Sequence, residues 1–317
     1  MRDYADEVYL HARIYAMRSR LLSLKDYVSL ARNQGEALYG NAEGVPDPAA
    51  AGETVFREQT ASVIRFAETT AVYAPLFLSF FRQFEALNVK LILARAFGLQ
   101  SLEQWYDIGQ YATLDRSLLK ETTALQDILP LLKGTYLADV LEDISSFEQT
   151  EIRVDLCTAR DLYAASGLFK ADAKLDFQNL IGRRIAVTSA ILSLRLKKTY
   201  QWDEERTRVY LAKFHEDFDG QTLMHVKIIE EVMDQHLEHL RANGMQEPSL
   251  VDIEHFLEQH YYKWISSMFH RDFHSIYCVV AYLWMLYYQI RNLIKIIEGR
   301  RFGYSPERVL ANIVCNT

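Results

Sequence analysis

Three features mark this sequence as all-α. Backbone breakers are scarce, with Gly 13 and Pro 6 among 317 residues, about half of average usage. No proline occurs between residues 131 and 247. Between the few breaks, apolar residues recur at helical spacing, and the Gly- and Pro-marked turns that sandwiches, barrels and doubly wound sheets require are missing.

The opening helix is read from Leu10, Ile14, Met17 and Leu21, which form one apolar stripe flanked by Arg13, Arg18 and Arg20. Residues 40–52 collect turn formers, Asn41, Gly44, Pro46 and Pro48 among them, and are expected to be a linker or loop. Further breaks are expected near Gly220 and between Asn243-Gly244 and Pro248. Helix restarts are signalled by Ser101 with Gln104 as a capping box, by Asp203 before Glu204-Glu205, and by Ser305-Pro306-Glu307 with proline at the first helical position. Everything between the breaks reads as helix. The most apolar window, residues 276–288, has 13 residues; a membrane span needs about 20, so it is expected to be a buried core helix.

Lys and Arg number 35 against 42 Asp and Glu, a net charge of −7, which disfavours general duplex binding by phosphate neutralisation. The three cysteines, Cys157, Cys278 and Cys315, are widely spaced with no CxxC pair, as expected of a reducing compartment without a disulfide frame or zinc knuckle. The acidic N-terminus lacks the basic region and apolar core of a signal peptide. A cytoplasmic location is the expectation.

A short pattern occurs three times: Glu85-Ala86-Leu87-Asn88-Val89, Asp176-Phe177-Gln178-Asn179-Leu180 and Gln289-Ile290-Arg291-Asn292-Leu293. Each has an acid or amide, two residues, an asparagine and an aliphatic. Each is followed by basic helix, and upstream of each lies an amphipathic segment opening on Glu58, Glu151 or Glu254. Three related helical units are therefore expected, over 1–113, 114–213 and 214–317. Asn88, Asn179 and Asn292 should occupy equivalent positions near helix ends, with Glu85, Asp176 and Gln289 one turn earlier on the same face.

Catalytic signatures are missing. No Gly-Lys dipeptide exists to build a phosphate-binding loop, and GxGxxG, GxSxG and HExxH do not occur. No histidine has glutamate three residues before it, as a di-iron bundle requires. His270 and His274 are four apart, on one helix face, but no recognisable third ligand accompanies them. The acidic runs Glu142-Asp143 and Glu216-Asp217-Phe218-Asp219 do not match the magnesium-binding helices of terpene-synthase-like enzymes, and they read as solvated faces. The aromatic-rich segments 261–264 and 284–288 read as core packing. No cofactor is expected, and an all-α metal-dependent enzyme is the least favoured reading.

The run from Tyr9-Leu10-His11-Ala12-Arg13 to Leu22, with Asp26-Tyr27 following, resembles the opening of the C subunit of archaeal and bacterial V/A-type rotary ATPases, the counterpart of eukaryotic subunit d. The stretch from Ile253-Glu254 through Asn292, Gly299-Arg300-Arg301-Phe302-Gly303 and Ser305-Pro306-Glu307 resembles the same family's ending. Both ends and all three asparagine motifs match. Gln289 departs from the family's usual acid, the first unit is about one residue short between Asn88 and Gly98, and the helix around residues 185–189 is unusually β-branched.

The resemblance implies a funnel-shaped, pseudo-three-fold helical body without catalysis of its own. One copy per complex would join the central-shaft subunits to the membrane-embedded proteolipid ring, in proton or sodium transport, without spanning the membrane or binding nucleic acid. The alternative is a free-standing adaptor derived from the family. Arg95, Arg184, Arg300 and Arg301, in the turns after the asparagine helices, are the expected partner contacts.

Overall fold

The computed structural model describes residues 2–32, 48–70, 73–99, 104–115, 117, 124–142, 146–244, 248–271 and 276–316. Among them are twelve α-helices and no strand. They are α1 (Arg2–Arg18), α2 (Leu24–Arg32), α3 (Pro48–Glu68), α4 (Ala74–Ala96), α5 (Leu125–Leu132), α6 (Phe147–Ala164), α7 (Ala171–Lys198), α8 (Glu204–His215), α9 (Gly220–Ala242), α10 (Leu250–Met268), α11 (Ile276–Arg301) and α12 (Pro306–Leu310).

Local chemistry sets most helix starts. Asp203, Asp219, Ser249 and Ser305 are N-caps whose side chains accept a backbone N–H of the first turn, each worth about 1 kcal/mol. Pro306 opens α12 and Pro48 opens α3, where a missing N–H costs nothing. The expected linker is therefore shorter at its far end, since residues 48–52 are helical. Residues 101–103 of the expected capping box lie outside the described set, and Gln104 begins a stretch without α-helix.

The chain divides into two compact units, residues 1–165 with 282–317 and residues 166–281, and the division falls within α11. In the first unit α4 packs along α6 and also touches α3 and α5, while α2 meets α12. Its core includes Val89, Ile92, Leu93, Trp105, Leu114, Ile128 and Val154. An aromatic seam adds Phe84, fully buried and 4.8 Å by ring centroid from Phe56 and 5.4 Å from Tyr287. Burying one such ring contributes about 1.5–3 kcal/mol. Leu10, Ile14 and Met17 of the opening stripe are buried, whereas Leu21 falls beyond the end of α1.

In the second unit α7 is the hub, with α8, α9 and α10 against it. Gly182 sets the approach of α9, because a Cβ there would lie 3.0 Å from Thr222 Oγ1 and 3.2 Å from His225 Cδ2. All of residues 276–288 are buried, which makes that window core. Among the described residues no helix is long and apolar enough to cross a membrane.

Candidate functional site

The three asparagine motifs lie on α4, α7 and α11, the three longest helices apart from the equally long α9. In the first, Asn88 is buried and grips the backbone of Tyr106, 18 residues on. Its Nδ2 donates to the Tyr106 carbonyl at 2.8 Å and its Oδ1 accepts the Tyr106 N–H at 2.9 Å. One turn earlier, Glu85 accepts the N–H groups of Thr113 at 2.6 Å and Leu114 at 2.9 Å on a single oxygen, Oε1. The two side chains thereby supply hydrogen-bond partners to residues 104–115, a stretch without α-helix. The sequence pattern predicts helix across this stretch. Gly109 at φ +55 and the side-chain bonds from α4 explain the difference, since buried backbone groups need partners but not necessarily backbone ones.

The third motif repeats this arrangement. Asn292 donates from Nδ2 to the Val314 carbonyl at 2.8 Å and accepts the Val314 N–H at 3.1 Å, 22 residues on. Gln289 accepts the Leu22 N–H at 2.6 Å and donates to Gln59 Oε1 at 2.5 Å. Both asparagines are followed by the same helix stop. Gly98, at φ +74, donates to Arg95 O while Leu99 N reaches Ala94 O; Gly303, at φ +66, donates to Arg300 O while Tyr304 N reaches Gly299 O. These are Schellman ends, in which a left-handed glycine lets two orphan carbonyls be satisfied. Each helix stops within about three turns of its asparagine, and the chain turns into the segment that the asparagine holds.

The middle motif is engaged differently. Asn179 is half-buried, its Oδ1 2.8 Å from His225 Nε2 and its Nδ2 3.4 Å from the Tyr277 hydroxyl. Oδ1 can only accept, so that His225 nitrogen carries the proton. Asp176 faces the same Tyr277 hydroxyl. No glycine follows at the stop position, so α7 continues to Lys198 and leaves Asn179 mid-helix. There the chain turns through Gln201, whose φ of 54 is unusual for a residue with a Cβ.

Ion pairs stitch two of the motif helices to antiparallel neighbours. On α4, Arg82 pairs with Asp161, and Lys90 lies 2.6 Å from Asp155 and 3.4 Å from Glu151. On α7, Arg184 meets Glu258 at 2.7 Å, and Arg195 grips Glu254 through two nitrogens at 2.7 and 3.1 Å. Two of the upstream acids singled out by sequence, Glu151 and Glu254, thus close onto motif helices, while Glu58 is exposed. Burial pushes the Asp161 carboxyl up; Arg82 opposes that shift and Glu85 adds to it.

The four arginines fall into two groups. Arg184 is committed to Glu258 and to the face of Tyr261, and Arg300 hydrogen-bonds the Leu30 carbonyl. Arg95 and Arg301 are exposed, beside the exposed Leu99 and the stacked, exposed pair Phe302 and Tyr304. Arg308 covers Tyr304 at 3.9 Å. His270 is exposed and His274 lies outside the described residues. Among the described residues, no three His, Cys, Asp or Glu side chains gather as metal ligands.

The fold and site together define an all-α protein in which buried side-chain amides hold irregular segments of its own chain against long helices. The chain belongs to the ATP synthase (C/AC39) subunit family, whose sequence profile matches residues 10–312. That is a family of V/A-type rotary ATPase subunits, and the partners it brings are the other subunits of such a complex. A search of curated proteins gave no significant match.

Proposed function

We propose that this protein is the non-catalytic central-stalk subunit that joins the central shaft of a V/A-type ATPase or ATP synthase to its membrane rotor ring. Membership of the family over residues 10–312 carries this reading. A slender shaft and a wide ring differ in diameter, so the part between them must widen the contact and resist twisting. Close-packed helices have the required stiffness. Irregular segments are where such a body would yield, and the doubled bonds of Asn88 and Asn292 fix two of them.

In this proposal the three sequence units, 1–113, 114–213 and 214–317, are related by descent and form a pseudo-three-fold funnel. The matching bonds of the first and third motifs support that relationship, and the missing glycine accounts for the divergence of the second. Arg95 and Arg301, each at an exposed helix end beside exposed apolar side chains, are the contacts offered to shaft or ring. Arg184 and Arg300 serve the protein's own packing.

The test is ion pumping by membranes whose complex carries Arg95→Glu together with Arg301→Glu. Expected are a folded subunit, retained ATP hydrolysis and loss of most coupled transport. Normal coupling in the double variant would remove these residues from the interface. Normal coupling in membranes lacking the protein altogether would instead make it a free-standing adaptor.

A further inference from the structure

Two helix corners of this protein are built alike, in detail that the asparagine motif does not account for. The chain leaves α11 through Gly303 and α7 through Gln201, both left-handed, at φ +66 and +54. The next residue is aromatic each time, and its N–H returns to the helix just ended. Tyr304 donates to the Gly299 carbonyl at 2.8 Å and Trp202 to the Leu196 carbonyl at 2.9 Å. A cap follows at once, Ser305 or Asp203, whose side chain accepts the N–H of an arginine three residues on, Arg308 or Arg206. That arginine lies over the ring, its Cζ 3.9 Å from the centroid of Tyr304 and 3.8 Å from that of Trp202. A second aromatic braces each ring, Phe302 at 5.9 Å and Tyr210 at 5.5 Å. The residue after each arginine, Val309 or Thr207, is buried and seats the new helix.

These arginines face outward. Both are exposed, and neither guanidinium has a hydrogen bond or ion pair among the described residues. The nearest acids in sequence do not serve them. Glu205 and Glu307 precede Arg206 and Arg308 by one residue, a spacing at which helical side chains do not face each other, and Glu204 pairs with Lys197 at 2.7 Å. At under 4 Å the guanidinium lies on the ring by its face, so its N–H edge stays clear for another partner. A fork already held in place loses less freedom on binding than a loose one. Its match is a carboxylate, taken through parallel N–H···O bonds.

We propose that the Trp202–Arg206 and Tyr304–Arg308 corners each dock an acidic side chain of the membrane rotor ring. This rests on the central-stalk reading given above. The recurrence selects the ring over the shaft. A ring repeats one surface around its circumference, and two copies of one device in a single chain call for a partner that repeats.

Binding of the full-length protein to purified rotor ring in detergent, measured by biolayer interferometry, tests this with Arg206→Gln and Arg308→Gln. Each lost fork is expected to weaken binding about tenfold, and both together about 100-fold. Amidating the exposed carboxylates of the ring with a water-soluble carbodiimide and glycinamide should weaken binding of the wild type at least as much. That arm uses the unaltered protein, so misfolding of a variant would not shelter the idea. The proposal is overturned, with the central-stalk reading intact, if the double variant or the amidated ring binds as tightly as the unaltered pair. It is also overturned if the double variant loses affinity for purified shaft and keeps it for the ring. A wild-type protein that binds neither ring nor shaft would remove the central-stalk reading and this inference with it.

Discussion

Replacing Asn292 by alanine removes both hydrogen bonds to Val314, and magnitudes decide what the C-terminal segment then does. If it stays docked, a buried N–H and a buried carbonyl are left unpaired, at about 1–3 kcal/mol each. If it undocks, burial of Ile313 and Val314, 6% and 3% exposed, is forfeited at about 1.5–3 kcal/mol apiece. Each released residue then regains about 1–2 kcal/mol of chain entropy. Over residues 313–316 that gain offsets the lost burial, so undocking is expected, with the bond from Lys295 to the Asn312 carbonyl at 2.8 Å as a remaining tether. Cys315 reports it directly. All three cysteines are buried and none is in a disulfide, and burial pushes the Cys315 thiol up. Lowering the opening free energy by about 2–4 kcal/mol raises the fraction open some 30- to 1,000-fold. The rate of one thiol, identified as Cys315 by mass spectrometry after alkylation, should rise accordingly under native conditions. The reasoning fails if Cys315 in Asn292→Ala is alkylated as slowly as in the wild type.

Asn88→Ala should lower global stability by about 2–4 kcal/mol in urea unfolding without exposing a thiol, because residues 104–115 are tied at both ends and by Glu85. Asn179→Ala, which loses only side-chain partners, should cost about 1 kcal/mol in the same assay. Gly182→Val should cost about 1–3 kcal/mol through overpacking against Thr222 and His225, and a variant melting with the wild type would show that α7 and α9 separate easily. Burial holds His215, His225 and His260 below their usual 6.5, with Arg183 adding to the effect on the last two. The unfolded chain therefore binds protons first as pH falls below 6.5, and stability of the second unit is full above that pH and declines beneath it. The slope is at most about 1.4 kcal/mol per pH unit for each histidine, and His260→Gln should flatten it in urea midpoints compared at pH 7.5 and 5.5.

Sequence periodicity and caps carried the fold because helices are local. Asp203 and Ser305 name their helix starts within three residues, and Gly98 and Gly303 mark matching stops. The asparagine motif was visible as a recurrence, but its partners were not. Nothing adjacent to Asn88 announces Tyr106, and Leu22 lies 267 residues from Gln289. The course of residues 104–115 without α-helix was hidden for the same reason, since its bonds come from a helix formed elsewhere. Among the arginines, sequence could locate helix ends but could not tell Arg301, which is exposed, from Arg300, which is spent on the Leu30 carbonyl.

The bonds from Gln289 to Leu22 and from Arg300 to Leu30 join residues 267 and 270 positions apart, so the later partner of each is made long after the earlier one. The first unit includes residues 282–317 as well as 1–165, whereas residues 166–281 are continuous. On a ribosome adding about 5–20 residues per second, the second unit has all of its chain before α2 can meet α12 or Leu22 can meet Gln289. During that interval the backbone of Leu22 and Leu30 has neither the Gln289 nor the Arg300 side chain to hold it. The order of manufacture thus leaves α2 to dock only after the final turns of α11 and then α12 have been made.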